Sequence, residues 1–164
     1  MKGSVEPLGR ILALDVGQRR IGVAISDQGR TLARSLTVLH RRSKVEDFEA
    51  LAQLIREQAA KAIVVGLPLS ADGTEGPQAR RIRRYATALS EALASRGLAL
   101  PMTFHDESLS TVAASELMIA GGRKRRHRRR RIDAVAAAVI LQDYLDTRLS
   151  SRQIHAPAAP NAQT

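Results

Sequence analysis

The chain contains no cysteine. Disulfides and thiolate metal sites are therefore excluded, and a cytoplasmic location is the expectation. Its four histidines, His40, His105, His127 and His155, show no metal-ligand spacing, so any metal must be held by carboxylates. No apolar run approaches the roughly 20 residues needed to cross a bilayer, and no secretory leader pattern is present, so no membrane partner is expected. A Gly-rich stretch, GLPLSADGTEGPQA, spans residues 66–79 but lacks the Gly-Lys-Ser/Thr of a P-loop. There is no internal repeat and no composition break that would mark a second domain.

What is present is 164 residues with 44% apolar and 26% charged side chains, enough for one domain with a real core. Lys plus Arg number 26 against 16 Asp plus Glu, a formal net charge of +10. Residues 123–131 read RKRRHRRRR, and removing that segment leaves 18 against 16. A nearly neutral body thus carries one intense positive patch, which suits a polyanion whose phosphates release counterions on binding. Arg123, Lys124, Arg125, Arg126, Arg128, Arg129 and Arg130 are the candidate nucleic-acid contacts in it.

Residues 1–8 and 150–164 are expected to be flexible ends around a single domain at 9–149. RILAL, IGVAIS and the stretch from Thr31 to Leu39 are predicted strands joined by tight turns at Gly17 and at Asp27-Gln28-Gly29. Phe48, Leu51, Ala52, Ile55 and Ala59 repeat at helical spacing, and AIVVG (62–66) has the β-branched run of a strand covered on both faces. Ile82, Tyr85, Ala86, Leu89 and Leu93 predict a second helix, PMTF a short strand, and SLSTVAASELMIA a third helix. The basic run is expected as a loop over 121–131, followed by a last helix with Ile132, Val135, Ala136, Val139 and Ile140 on one face. The order β-β-β-α-β-α-β-α-α implies an α/β fold: an antiparallel meander extended by β-α units into a mixed sheet flanked by helices.

Three acidic positions fall at the ends of these elements: Asp15 at the first strand, Asp106 and Glu107 after the last, and Asp133 at the start of the final helix. Strand carboxyl ends gather on one edge of an open α/β sheet, so these acids can converge there. Converging carboxylates repel unless a cation neutralises them, and an oxygen-only set selects Mg²⁺ or Mn²⁺. Such ions support phosphodiester hydrolysis. Plainer roles stay open: turn chemistry for Asp15, a helix cap at Asp106 or Ser108, and helix-dipole compensation for Glu107 and Asp133. Thr74 in the 66–79 loop is a candidate cap whose helix N-terminus could face a phosphate.

The stretches LALDVGQRRIGVAISD, VVGLPLSADGTEGPQARRIRRYA, DESLSTVAASELM and RIDAVAAAVILQDYLD, which cover almost all of residues 10–146, resemble the YqgF family. Its members, also called RuvX-like, are described as candidate pre-16S rRNA nucleases or as Holliday-junction-resolvase-like. The resemblance implies an RNase H-like fold with a five-stranded sheet in the order 3-2-1-4-5. It also implies a metal-dependent nuclease site at Asp15, Glu107 and Asp133, binding Mg²⁺ or Mn²⁺. Arg19 and Arg20, in the turn beside Asp15, would then contact phosphates. The family's usual Asp-Glu-Arg after the last strand reads Asp106-Glu107-Ser108 here, so one cationic partner is missing.

The expected activity is hydrolysis of structured RNA, with pre-16S rRNA 5′-end maturation as the family-implied role. Resolution of branched DNA uses the same chemistry but needs a homodimer, whereas a monomer can serve RNA. Two other classes compete: a non-catalytic RNA-binding factor in ribosome assembly or transcription, and an actin-like ATPase. The latter needs two such domains, and this length supplies one.

Overall fold

The computed structural model describes residues 8–107 and 125–154, with side chains described over 8–107 and 134–151. Five strands form one sheet: β1 (Arg10–Val16), β2 (Arg20–Ser26), β3 (Ala33–His40), β4 (Ala60–Leu67) and β5 (Met102–Asp106). Their order is β3-β2-β1-β4-β5. The first three strands pair antiparallel, while β4 runs parallel to both β1 and β5. This is the mixed sheet expected from the sequence. Helices α1 (Lys44–Gln58), α2 (Pro77–Ala94) and α3 (Arg125–Ile154) flank it. Among the described residues, no helix is long and apolar enough to cross a membrane.

Alternation along β1 divides the core. Leu12, Leu14 and Val16 pack with Leu51, Ile55, Ile82 and Leu89 beneath α1 and α2. Ile11 and Ala13 face Ala137, Ile140, Leu141 and Leu145 of α3. Ala13 pairs with Ala24 across the sheet, so the surface under α3 is thin and lets that helix approach closely. Both clusters are buried, and truncating a fully buried leucine such as Leu89 to alanine should cost about 2–5 kcal/mol.

Local chemistry fixes the helix starts. Ser43 caps α1, its Oγ accepting from the Glu46 amide at 3.2 Å. Gly76 is the cap residue of α2, with no side-chain bond, and Pro77 follows in the first turn. The Thr74 cap expected from the sequence is therefore not formed. Thr74 stands two residues upstream, and its hydroxyl donates to Asp72 Oδ1 at 2.6 Å.

The basic run also departs from expectation. Among the described residues helical backbone runs from Arg125 onward, so the segment from Arg125 to Arg131 is helical rather than loop. Arginine is a good helix former, and a helix docked downstream propagates backward residue by residue. The same helix passes the expected boundary at 149 and runs to Ile154. Ser108, the predicted third helix, Arg123 and Lys124 lie outside the described residues.

Candidate active site

Because β1, β4 and β5 are parallel, their carboxyl ends open on one edge. Asp15 stands one residue before the end of β1. Alternation puts it on the α3 face with Ile11 and Ala13, while its neighbour Val16 turns to the other face. Its antiparallel partner is Gly22, and on the other side Gly66 follows Val65, the partner of Leu14. Neither flanking glycine brings a side chain of its own against the acid.

Glu107 is the first residue after β5, and its amide donates to the Leu67 carbonyl at 3.2 Å. Only 7% of the residue is exposed. Its carboxyl group lies over Gly66: a Cβ there would stand 2.7 Å from Glu107 Oε2 and 2.8 Å from Ile140 Cδ1. Only glycine admits that approach.

Asp15 and Glu107 therefore meet. Burial, and after it the Asp15 carboxylate, push the Glu107 acid up to about 8, with Asp106 adding repulsion. Hydrogen bonding with the Asp15 side chain pushes it in the same direction. Glu107 Oε2 has no hydrogen-bond partner among the described residues. An orphaned buried oxygen beside a second carboxylate fits a hard divalent cation, which would offset the charge and take the free lone pairs. The residue pattern left Asp106 and Glu107 open as candidates. Asp106 lies in β5 opposite Leu67, and Glu107 carries the carboxylate that reaches Asp15.

The third proposed acid, Asp133, is in α3 backbone ahead of Ala137 and Ile140; its side chain lies outside the described residues. Among the described residues no group of three potential metal ligands forms. Arg19 lies exposed in the β1–β2 turn, and its carbonyl accepts from the Arg41 amide at 2.8 Å. Arg20 opens β2 two residues before Gly22, on the same face as Asp15. Gly17 tightens this turn, donating to the Arg20 carbonyl at 2.8 Å. Arg125, Arg126, Arg128, Arg129 and Arg130 lie in the first turns of α3, with side chains outside the described residues. Thr74 belongs to the loop after β4, which leaves the sheet at this same edge.

One pair was not legible in the sequence. His105 Nε2 lies 2.6 Å from Asp143 Oδ2, and its ring meets Tyr144 edge-on with centroids 5.7 Å apart. This contact ties β5 to α3 two residues before Glu107. No local signal links residues so far apart in the chain; only the docking of α3 creates the pair.

A model of the RuvX family, described as a Holliday junction resolvase family, matches residues 9–147. The chain belongs to the RuvX family. A relative from Roseiflexus sp. (strain RS-1) is 45% identical over 145 residues, which covers 88% of this chain and 99% of the relative. Another from Chloroflexus aurantiacus is 43% identical over 141 residues, covering 86% and 89%. Both bear names that make them candidate pre-16S rRNA nucleases. Among solved structures, Thermus thermophilus RuvC bound to a Holliday junction aligns with a TM-score of 0.56 at 14% identity, covering 87% of this chain and 97% of that one. The yeast mitochondrial Holliday junction resolvase aligns at 0.55 and 10% identity, covering 92% and 83%. At such identities the likeness shows the fold, and it is the RNase H-like fold expected from the family resemblance.

Proposed function

We propose that this RuvX-family chain is a divalent-metal-dependent nuclease that hydrolyses phosphodiester bonds in structured RNA at the Asp15–Glu107 edge. Its substrate on this reading is the 5′ region of pre-16S rRNA, which places it in ribosome biogenesis in the cytoplasm. The observation that carries the proposal is the buried Glu107 carboxyl held against Asp15, with one oxygen unpartnered among the described residues. Nature rarely leaves a buried carboxylate in that condition without a chemical use for it. Family membership and the names of the relatives support the nuclease assignment.

Asp15 and Glu107 would hold Mg²⁺ or Mn²⁺, with Asp133 as the proposed third ligand. A cation bound there supplies charge neutralisation and a lowered pKa for water. The remaining work belongs to the chain. Gly66 makes room for the Glu107 carboxyl group to lie on the sheet beside Asp15. Burial of Glu107 excludes water from one side of the site. Arg19 and Arg20 stand at the strand tip to take neighbouring phosphates.

The test is cleavage of a labelled rRNA precursor in Mg²⁺, Mn²⁺ or Ca²⁺, with EDTA as the blank. Cleavage in the first two ions, binding with little turnover in Ca²⁺, and none in EDTA are expected. Undiminished cleavage in EDTA would rule out the metal mechanism. Binding without cleavage in every ion would instead favour a non-catalytic RNA-binding factor. A second reading, junction resolution, draws on the description of the family and on the RuvC-like fold. It demands a homodimer, so light scattering with and without a four-way DNA junction separates the two.

A further inference from the structure

On the sheet face opposite the acids, a cleft of about 250 Å³ opens between the β1–β2 turn, the start of α1 and the first turns of α2. Val16, Ile82 and Tyr85 supply its apolar floor. Arg41, Lys44, Arg81 and Arg84 line it, and among the described residues no acidic one does.

The arginines of α2 fall into two pairs with different surroundings. Arg80 Nη1 donates to the Glu75 carbonyl at 2.9 Å. Arg83 pairs with the Glu75 carboxylate and lies 4.5 Å over the Phe104 ring. Arg81 and Arg84, one position further on, have no ion pair or hydrogen bond among the described residues, and neither does Lys44 across the cleft. Arg41, by contrast, is anchored: 4.6 Å over the Tyr85 ring, 3.6 Å from Asp47, and donating to the Gly17 carbonyl at 2.8 Å. A rigid basic wall thus holds the strand-tip turn, and three uncompensated cations face the space in front of it. Like charges gathered this way are stabilised by an anion.

Position decides which anion. Asp15 and Val16 are consecutive, about 3.8 Å apart at Cα, and point to opposite faces. A strand seated at the acids and crossing the tip of β1 meets the cleft next. Guanidinium groups match phosphate geometry, and a flexible ammonium adds a point charge.

We propose that this cleft binds the phosphodiester backbone of the substrate strand beyond the scissile position, through Lys44, Arg81 and Arg84. The proposal rests on the reading of the carboxylate edge as a nuclease site, but it makes its own demand on binding. The test uses Asp15→Asn as the background, so that nothing is cleaved. Binding of a labelled single-stranded RNA and of a four-way DNA junction is measured across a salt series. Arg81→Gln/Arg84→Gln should weaken binding at least about tenfold and flatten the salt slope by roughly 0.7 per lost contact on single strands or 0.9 on duplex. A loss confined to one probe identifies the nucleic acid; loss on either supports the cleft. Arg80→Gln/Arg83→Gln removes the same charge from the same helix and should move the slope less than half as much.

Equal losses for the two pairs would reduce the helix to bulk charge and overturn the proposal. An unchanged slope for Arg81→Gln/Arg84→Gln would do the same, and would point to an acidic protein segment as the occupant. Thermal melts check folding, and Lys44→Gln on α1 repeats the measurement independently of α2. Absence of hydrolysis by the wild type, with the slope effect intact, would sink the nuclease reading and leave the cleft standing.

Discussion

Asp27 and Glu107 occupy the same place in two strands: each is the first residue after one, β2 and β5 respectively. Their surroundings are opposite. Asp27 is exposed and closes its turn, accepting from the Thr31 amide and hydroxyl at 2.7 Å each and from the Leu32 amide at 3.0 Å. The Leu32 amide, then Thr31, hold its carboxyl below the ordinary range. Glu107 is buried, faces another carboxylate, and has an oxygen without a partner among the described residues. One acid completes its local structure, whereas the other is left incomplete by a structure that spends buried space on it. Hydrogen-bond satisfaction, not position in an element, separates the turn acid from the candidate catalytic acid.

The sharpest way to break this contrast is Asp15→Asn. Hydrolysis of the RNA probe should fall by roughly 10²–10⁴, the range of a positioned catalytic group, while thermal stability holds or rises because a repulsive charge has gone. A loss of several kcal/mol in a denaturant titration would make Asp15 structural.

Gly66→Ala attacks the buried side of the comparison through space alone. The new Cβ must displace Glu107 or Ile140, at an overpacking cost of about 1–3 kcal/mol and with reduced hydrolysis. Adding Glu107→Ala should recover part of the lost stability but none of the activity. Full additivity of the two changes would show that they do not share the site.

Asp27→Ala should act the other way round. It removes a charged acceptor from three donors, costing about 1–2 kcal/mol in chemical denaturation, and leaves the hydrolysis rate unaltered. A nuclease defect in this variant would blur the distinction between the two acids.

The smallest effect is the pH dependence of stability in EDTA. Asp27 has a depressed folded value, so its contribution is present above the ordinary value of 3.8 and is lost as pH falls below it. Glu107 has a raised value, so folding takes up a proton between its ordinary 4.5 and about 8, and stability declines as pH rises through that window. Melts of Asp27→Asn should flatten the acid limb, and melts of Glu107→Gln the neutral limb. A neutral limb unchanged in Glu107→Gln would show that this carboxyl is not the group taking up the proton.

Much of this was legible in one dimension. The β-branched run at 62–66 and the helical spacing at 48–59 carry their own geometry, because period and propensity are local properties. Asp15 was legible as a candidate because an apolar strand has no local need for an acid at its tip. Gly66 was legible as a place of close approach, but the carboxyl that approaches it belongs to Glu107, just past the end of β5 and remote in the chain. The Thr74 cap failed because Pro77, fit for a first helical turn, moved the helix start to Gly76. Charge repulsion in the basic run points to a loop, but the pull of the docked helix downstream prevails.

The sequence by itself determined the order of elements, the excess of positive charge, the absence of thiolate chemistry and the acids available for catalysis, since each follows from residue type and short-range spacing. Only the tertiary structure decided which acid meets which. The parallel pairing of β1, β4 and β5 brings three strand ends to one edge, and Gly66 admits the Glu107 carboxyl group there. Burial under α3 then turns a glutamate into a group that cannot hold its charge alone. The same folding sorts four arginines of one helix into two that are paired and two that have no partner among the described residues. Pairing and desolvation depend on distances between residues remote in the chain, and those distances exist only once the sheet has formed.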